Sequence, residues 1–352
     1  MVKIAKIFFY DTKPYDQHSF ETANKKYNFD IQYFNGHLNY NSAGLSQGFN
    51  VVCPFVNDTI DKKTISILKN CGVELIALRS AGYNNVDLKA AYRNIHVVRV
   101  PSYSPYAVAE HAMALILSLN RKTHRAYYRT RDGNFSINGL LGFDLHEKTI
   151  GIIGTGKIGE CLIDIALGFG MKVIAYDRYL DEKHAKERGF KYVTLEELYN
   201  ESDVISLHCP LSKETYHLIN EDSIKKMKKG VIIINTSRGK IIETESLIKG
   251  LKDKQIGAAG LDVYEEESQY FFEDFSSEMI SDDMLARLLT FPNVLVTSHQ
   301  GFFTQEALTN IANTTLQNIK DYFEGKFLEN EICYRCGIDA SECMKEQKKR
   351  CF

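Results

Sequence analysis

Arg238, the acidic run Glu265-Glu266-Glu267 and His299 are the residues whose types and spacing could do chemistry. Arg238 lies in Asn235-Thr236-Ser237-Arg238-Gly239, directly after the apolar run 231–234. A guanidinium there can grip a carboxylate through two parallel hydrogen bonds that lysine cannot reproduce. The glutamates close Gly260-Leu261-Asp262-Val263-Tyr264-Glu265-Glu266-Glu267, and two of the three are read as a solvated acidic loop. His299 stands in Thr297-Ser298-His299-Gln300-Gly301, just past another apolar run. Imidazole gives and takes protons near neutrality, as a general acid or base must. Taken singly, an arginine at a strand end or a lone histidine is an ordinary surface or structural residue. Each follows a predicted strand ending at one sheet edge, and together they could hold an acid and move a proton.

That edge is set by residues 149–177, TIGIIGTGKIGECLIDIALGFGMKVIAYD. An apolar run enters Gly154-Thr155-Gly156-Lys157-Ile158-Gly159, a helical pattern follows, and a second apolar run stops at Asp177. Strand, glycine-rich turn, helix, strand and acid in about 30 residues is the layout of a dinucleotide-binding unit. Gly154 permits the tight turn, Gly156 lets the backbone approach a pyrophosphate, and Gly159 lets helix and strand pack closely. The helix start offers N–H groups and a positive dipole end to phosphates. Asp177 can accept from a ribose 2′-hydroxyl and would repel a 2′-phosphate, so the cofactor expected is NAD rather than NADP.

The 352 residues, 44% of them hydrophobic, suffice for two domains. Lysine plus arginine (43) against aspartate plus glutamate (45) leaves −2, which argues for neither nucleic acid nor membrane as partner. The opening MVKIAKIFFYD reads as a first strand rather than a signal peptide, and no apolar stretch reaches the ~18 residues of a membrane span. Cys53, Cys71, Cys161 and Cys209 sit singly in apolar runs, as buried free thiols of a cytoplasmic protein would.

Strands are predicted near 4–10, 31–34, 51–56, 74–79 and 96–100, with a helix starting from the Asp61 cap. This first α/β region has no glycine fingerprint. One long helix is predicted over 106–125, apolar nearly all round through 112–119 and so buried on all sides, as it would be between domains or between subunits. Beyond 149, six parallel strands are expected, near 150–153, 173–176, 204–208, 231–235, 258–262 and 294–297. A last helix over 305–323 returns the chain to the first domain. The fold expected is α/β, with two doubly wound parallel-sheet domains and a cleft between them. A flavodoxin-like substrate domain takes 1–101 and 300–335, and a Rossmann domain takes 102–299.

The ordered motifs GTGKIG, NTSRG, GLDVYEEE and TSHQGFF resemble the D-isomer-specific 2-hydroxyacid dehydrogenases, over residues 1 to about 332. The segments RSAGYNNVD (79–87), VPSYSPYAVAEHA (100–112), HRAYYRTRDGNFSINGL (124–140), HCPL (208–211) and YFFEDFSSEMISDD (270–283) resemble the fermentative D-lactate branch. The resemblance implies that His299 is the acid/base, Glu267 its partner and Arg238 the residue holding the substrate carboxylate. It places backbone N–H groups of Ala81 and Gly82 on that carboxylate, and Tyr103 and Phe302 on the pocket wall. It adds Thr155, Lys157, Ile158, Cys209, Pro210, Thr236, Ser237 and Asp262 to the NAD site, and implies a homodimer or homotetramer. A larger 2-oxo acid than pyruvate, or a non-catalytic NAD-sensing corepressor role, remains open at this point.

Beyond about Asn330 come Cys333-x-x-Cys336, Cys343 and Cys351 among lysines and Arg350. Four thiolates could hold zinc, but the usual second Cys-x-x-Cys is missing, and residues 336–352 are expected to be a disordered, dispensable tail.

Overall fold

The computed structural model describes residues 5–267, 270–335 and 348–352. Two compact units result, Met1–Ser104 with Phe303–Phe352, and Pro105–Phe302. In chain order the first unit holds β1 (Lys6–Phe9), α1 (Pro14–Asn24), β2 (Asp30–Tyr33), β3 (Val51–Cys53), α2 (Lys62–Asn70), β4 (Leu75–Ala77), α3 (Leu88–Ala91) and β5 (His96–Val98). The second opens with α4 (Pro105–Arg121) and α5 (Thr123–Arg131), then β6 (Thr149–Ile153), α6 (Lys157–Gly168), β7 (Lys172–Tyr176), α7 (Glu182–Arg188) and β8 (Lys191–Tyr192). It continues with α8 (Leu195–Glu201), β9 (Val204–Leu207), α9 (Glu221–Lys225), β10 (Val231–Asn235), α10 (Thr244–Lys252), β11 (Ile256–Leu261), α11 (Asp283–Thr290) and β12 (Val294–Val296). Helix α12 (Gln305–Phe323) then packs beside α1 in the first unit.

Among the described residues the first unit carries a five-stranded sheet, β2-β1-β3-β4-β5, with every pairing parallel. The second carries seven strands in the order β12-β11-β10-β9-β6-β7-β8, again all parallel. Its central strands are buried end to end, which is why β10 reads Val-Ile-Ile-Ile-Asn and β9 Val-Ile-Ser-Leu without alternation. The strand order reverses beside β6, where such sheets bind their ligands.

Local signals set several boundaries. Pro105 opens α4, where a missing N–H costs nothing. The Thr194 hydroxyl accepts the Glu197 N–H while the Glu197 carboxylate accepts the Thr194 N–H, a reciprocal cap on α8.

Four expectations are corrected. A seventh strand, β8, adds to the predicted six; its two residues are too short for a periodic signal. The long helix breaks at Lys122, whose φ of +51° is left-handed, and Asn120 there clamps the backbone of Phe143 from both sides. Helix α4 is not buried all round in the single chain: Tyr106, Glu110, Ala114 and Arg121 are exposed, and the opposite side packs on α6, β10 and β11.

The fourth correction concerns the chain end. Cys336 and Cys343 lie outside the described residues, but residues 348–352 pack on the first unit. Arg350 donates to the carbonyls of Tyr322 (2.6 Å) and Lys326 (3.0 Å). The Cys351 N–H reaches Glu331 Oε2 at 2.7 Å, and Phe352 stacks on His96 with ring centroids 4.1 Å apart. Counting the tail's basic charges overlooks that a buried carboxylate, Glu331, accepts the Cys351 N–H, and that the Arg350 guanidinium caps backbone carbonyls. Cys53, Cys71, Cys161 and Cys209 are free thiols, as expected, and Cys161 is only partly buried.

Candidate active site

In a parallel sheet all carboxyl ends lie at one edge, and β10, β11 and β12 are neighbours. Arg238 follows β10, Asp262 and Glu267 follow β11, and His299 follows β12. The three loops press together where side chains are smallest. A Cβ on Gly239, beside Arg238, would overlap the carbonyl of Tyr264. The Asn235 side chain donates to the Arg238 carbonyl at 2.9 Å, and Arg238 Nη1 reaches the Ser237 carbonyl at 2.7 Å.

His299 Nδ1 lies 3.0 Å from Glu267 Oε1, and the other carboxylate oxygen of Glu267 accepts the Tyr264 N–H at 3.0 Å. Each glutamate of the run has a different partner. Glu265 is not solvated as expected: it accepts from His217 Nε2 (2.7 Å) and the Thr244 N–H (2.9 Å). Glu266 is exposed and pairs with Lys240. Glu267 is the member that faces His299. Another histidine at this edge, His208, is unsuited to proton transfer because burial pushes it down to about 4, leaving it neutral.

His299 has a φ of +52°, uncommon outside glycine and sustained only where the surroundings over-determine it. Asp262 supplies that constraint. Its carbonyl accepts the His299 N–H at 2.8 Å, and its carboxylate accepts from Thr297 Oγ1 (2.6 Å), the Gln300 N–H (2.9 Å) and the Gly301 N–H (2.8 Å). Burial pushes Asp262 upward, but the donors His111 and Thr297 outweigh it and hold the carboxyl below its ordinary range. The ring of Phe272, from the 270–283 insertion, lies 6.0 Å from that of His299 and 6.5 Å from that of Phe302. The segments 100–112 and 270–283 that carry the resemblance contain His111 and Phe272, but no residue type or spacing within them singles out either one.

Nucleotide features lie at the ends of β6, β7 and β9. Gly154, at φ +100°, has the Cys209 N–H atom pair so near that a Cβ would sit 2.7 Å from that nitrogen. Gly156 caps α6 with open space around its missing Cβ and no side-chain cap, so the amides of Lys157, Ile158 and Gly159 start the helix uncapped by any side chain. Asp177 accepts from the Thr155 N–H (2.6 Å) and hydroxyl (3.1 Å) and from the Tyr179 N–H (3.0 Å). Partial burial raises it, yet these donors prevail and keep it below the usual carboxylate range. Thr236 Oγ1 is buried without a hydrogen-bond partner among the described residues. Ser237 donates to the Cys209 carbonyl at 2.5 Å, and Pro210 accepts from Thr215 at 2.7 Å. An uncapped helix start, an ionised acid beyond it and an orphaned buried hydroxyl fit a dinucleotide.

In the first unit, Ala81 and Gly82 form the turn after β4. Arg99 Nη1 holds the Ala81 carbonyl at 2.7 Å and Ser80 Oγ the Gly82 carbonyl at 2.8 Å. In a trans peptide the Gly82 N–H therefore points away from Arg99. Tyr103 is fixed by its carbonyl, which accepts from Asn310 at 2.6 Å.

With this geometry in hand, residues 113–301 match the D-isomer specific 2-hydroxyacid dehydrogenase, NAD binding domain. A 2-hydroxyacid dehydrogenase homolog of Haemophilus influenzae is 52% identical over 93% of this chain and 99% of its own length. The D-lactate dehydrogenase of Escherichia coli K12 is 49% identical with the same coverage. The apo-structure of D-lactate dehydrogenase from Escherichia coli superposes with a TM-score of 0.86 at 47% identity, covering 93% of this chain and 99% of that one. The chain therefore belongs to the D-isomer specific 2-hydroxyacid dehydrogenase family. It is an NAD-dependent oxidoreductase acting on a small molecule, and among the described residues no helix is long and apolar enough to cross a membrane.

Proposed function

We propose that the protein is a D-lactate dehydrogenase that reversibly reduces pyruvate to D-lactate with NADH, in the cytoplasm. The observation that carries this reading is the His299–Glu267 contact at 3.0 Å, at the same sheet edge as the nucleotide features. With Nδ1 committed to the carboxylate, Nε2 is the ring nitrogen left to exchange a proton with the substrate oxygen. The Glu267 carboxylate can only accept, so it fixes a hydrogen on His299 Nδ1 and with it the orientation of the ring. By the family resemblance Arg238 holds the substrate carboxylate; the same resemblance gives the Ala81 and Gly82 N–H groups a carboxylate-binding role and Tyr103 and Phe302 a substrate-contacting one. Bound at Gly154–Gly159 and Asp177, NADH supplies the hydride.

Pyruvate is favoured over larger 2-oxo acids by the half-identity to a D-lactate dehydrogenase. Steady-state turnover with NADH should be highest in kcat/KM for pyruvate, ahead of 4-methyl-2-oxopentanoate and phenylpyruvate. A reversed order would assign the larger substrate, and no turnover on any would remove the catalytic reading.

A homodimer or homotetramer is supported by the exposed apolar surface of the second unit. Helix α5 buries none of its residues, and Tyr128, Phe135, Ile137 and Leu141 are 68 to 89% exposed. Isolated chains rarely leave so many large apolar groups in water. Light scattering should show at least twice the 40.1 kDa of one chain; a species of monomer mass at micromolar concentration would refute it.

A further inference from the structure

We infer that His111, on α4, is a positioning residue for the acid/base histidine: its Nε2–H pins the Asp262–Thr297 pair from which the His299 loop hangs. The inference rests on the function proposed above, with His299 as the proton donor.

His111 Nε2 lies 3.2 Å from Asp262 Oδ1 and 3.1 Å from Thr297 Oγ1. The protonation of that nitrogen follows from its neighbours. The Thr297 hydroxyl has one hydrogen, and its 2.6 Å contact commits it to the Asp262 carboxylate, which can only accept. Toward His111 the hydroxyl oxygen is therefore an acceptor, so Nε2 must carry the hydrogen and give it in a fork to both oxygens. The imidazole reaches the loop from a different element. Helix α4 packs on α6, β10 and β11 with Ala112, Leu115, Ile116 and Leu119 buried, so His111 transmits the rigidity of the core.

The loop it reaches is the one that needs such support. Residues Thr297, His299, Gln300 and Gly301 are all hydrogen-bonded to Asp262, and His299 sits in the left-handed region. The packing leaves no slack: a Cβ on Gly301 would come within 2.9 Å of Asp262 Oδ2 and 3.4 Å of His111 Cδ2. Asp262 is 1% exposed, and a buried carboxylate that loses a donor rearranges to find another. Its other donors belong to the His299 loop, so that rearrangement moves His299. His111 does not need to touch substrate for this; it acts through Asp262 and Thr297.

The test is a comparison of His111→Ala and His111→Gln in the intact protein. Gln places an amide N–H near the position of Nε2. His111→Ala should lower kcat for pyruvate reduction by about 10- to 100-fold, the cost of a misplaced proton donor. KM for pyruvate should stay within about threefold of the parent, and the NADH dissociation constant from fluorescence titration, to which Asp262 also contributes, should rise far less than kcat falls. His111→Gln should recover kcat to within about fivefold of the parent. The inference is overturned by a kcat within about twofold of the parent in His111→Ala, by a Gln variant no better than Ala, or by equal losses in kcat and NADH affinity. Should His111→Ala fail to fold, Thr297→Val removes the shared hydroxyl at constant shape and must show the same loss, far larger in kcat than in NADH affinity. A parent protein inactive on every 2-oxo acid would instead count against the proposed function, so the two failures are distinguishable.

Discussion

One sheet edge carries two regions built by opposite means. At the ends of β6 and β7, the backbone does the work: Gly154 takes a φ closed to other residues, Gly156 leaves a helix start uncapped, and a single carboxylate, Asp177, completes the set. All of it lies within about two dozen residues. At the ends of β10, β11 and β12, side chains do the work. They come from three loops, and contacts such as His299–Glu267 and Gln300–Asp262 span 32 and 38 residues. The first region is fixed by local residue type. The second exists only once distant loops are clamped together, which here includes a strained backbone at His299.

The sharpest way to break the first region is through its one charged side chain. Asp177 should give a preference for NADH over NADPH of roughly 2–4 kcal/mol, from repelled phosphate and lost ribose hydrogen bonds. That is a factor of about 30 to 1,000 in the ratio of kcat/KM values. Because its N–H and hydroxyl donors hold Asp177 below the ordinary carboxylate range, it is charged at all neutral pH, and the preference should be flat from about pH 6 to 9. Asp177→Ser should erase most of it, with the neighbouring Arg178 available to the phosphate. Equal kcat/KM for both cofactors in the parent would refute the role.

In the second region, Glu267→Gln keeps shape and a hydrogen bond while removing charge. Reduction needs a proton delivered from His299 Nε2, and the Glu267 carboxylate holds the ring that delivers it. Without that charge-assisted contact, kcat for pyruvate reduction should fall roughly tenfold, while the NADH dissociation constant stays within about threefold of the parent. A kcat within about twofold of the parent would separate Glu267 from the proton transfer.

The same contrast explains how much was legible in the residues alone. The glycine turn, its helix and Asp177 could be read because each requirement is met by a residue type at a fixed offset. Arg238 and His299 were legible as strand-end residues, since parallel strands share an edge. That Glu267 rather than Glu265 or Glu266 faces His299 came from family resemblance, because three adjacent glutamates have no local signal to separate them. His217, which engages Glu265, and Phe272, which lies beside His299, gave none either. Lys122 illustrates the same limit: nothing in its helical surroundings announces the left-handed residue that divides α4 from α5.

The chain end is a third region, and it tests whether a tertiary contact of that unannounced kind matters for stability. Composition predicts that residues after Asn330 can be removed without effect; the packing of Arg350, Cys351 and Phe352 predicts otherwise. Glu331 is fully buried, and its two oxygens meet His96 Nδ1 at 2.5 Å and the Cys351 N–H at 2.7 Å. Deleting residues 350–352 withdraws one of these donors, and leaving a buried acceptor unsatisfied costs about 1–3 kcal/mol. It also uncovers the His96 ring and takes away the Arg350 guanidinium 4.8 Å above Tyr322. For a chain of this size each kcal/mol moves Tm by about 2–4 °C, so a fall of roughly 2–12 °C is expected. Affinity for NADH should not change, because the nucleotide-binding features lie in the other unit. Phe352→Ala, which keeps the Cys351 N–H, should show a smaller part of the fall. If the truncated protein melts within about 1 °C of the parent, the docked end contributes nothing and the tail is dispensable as its composition suggests.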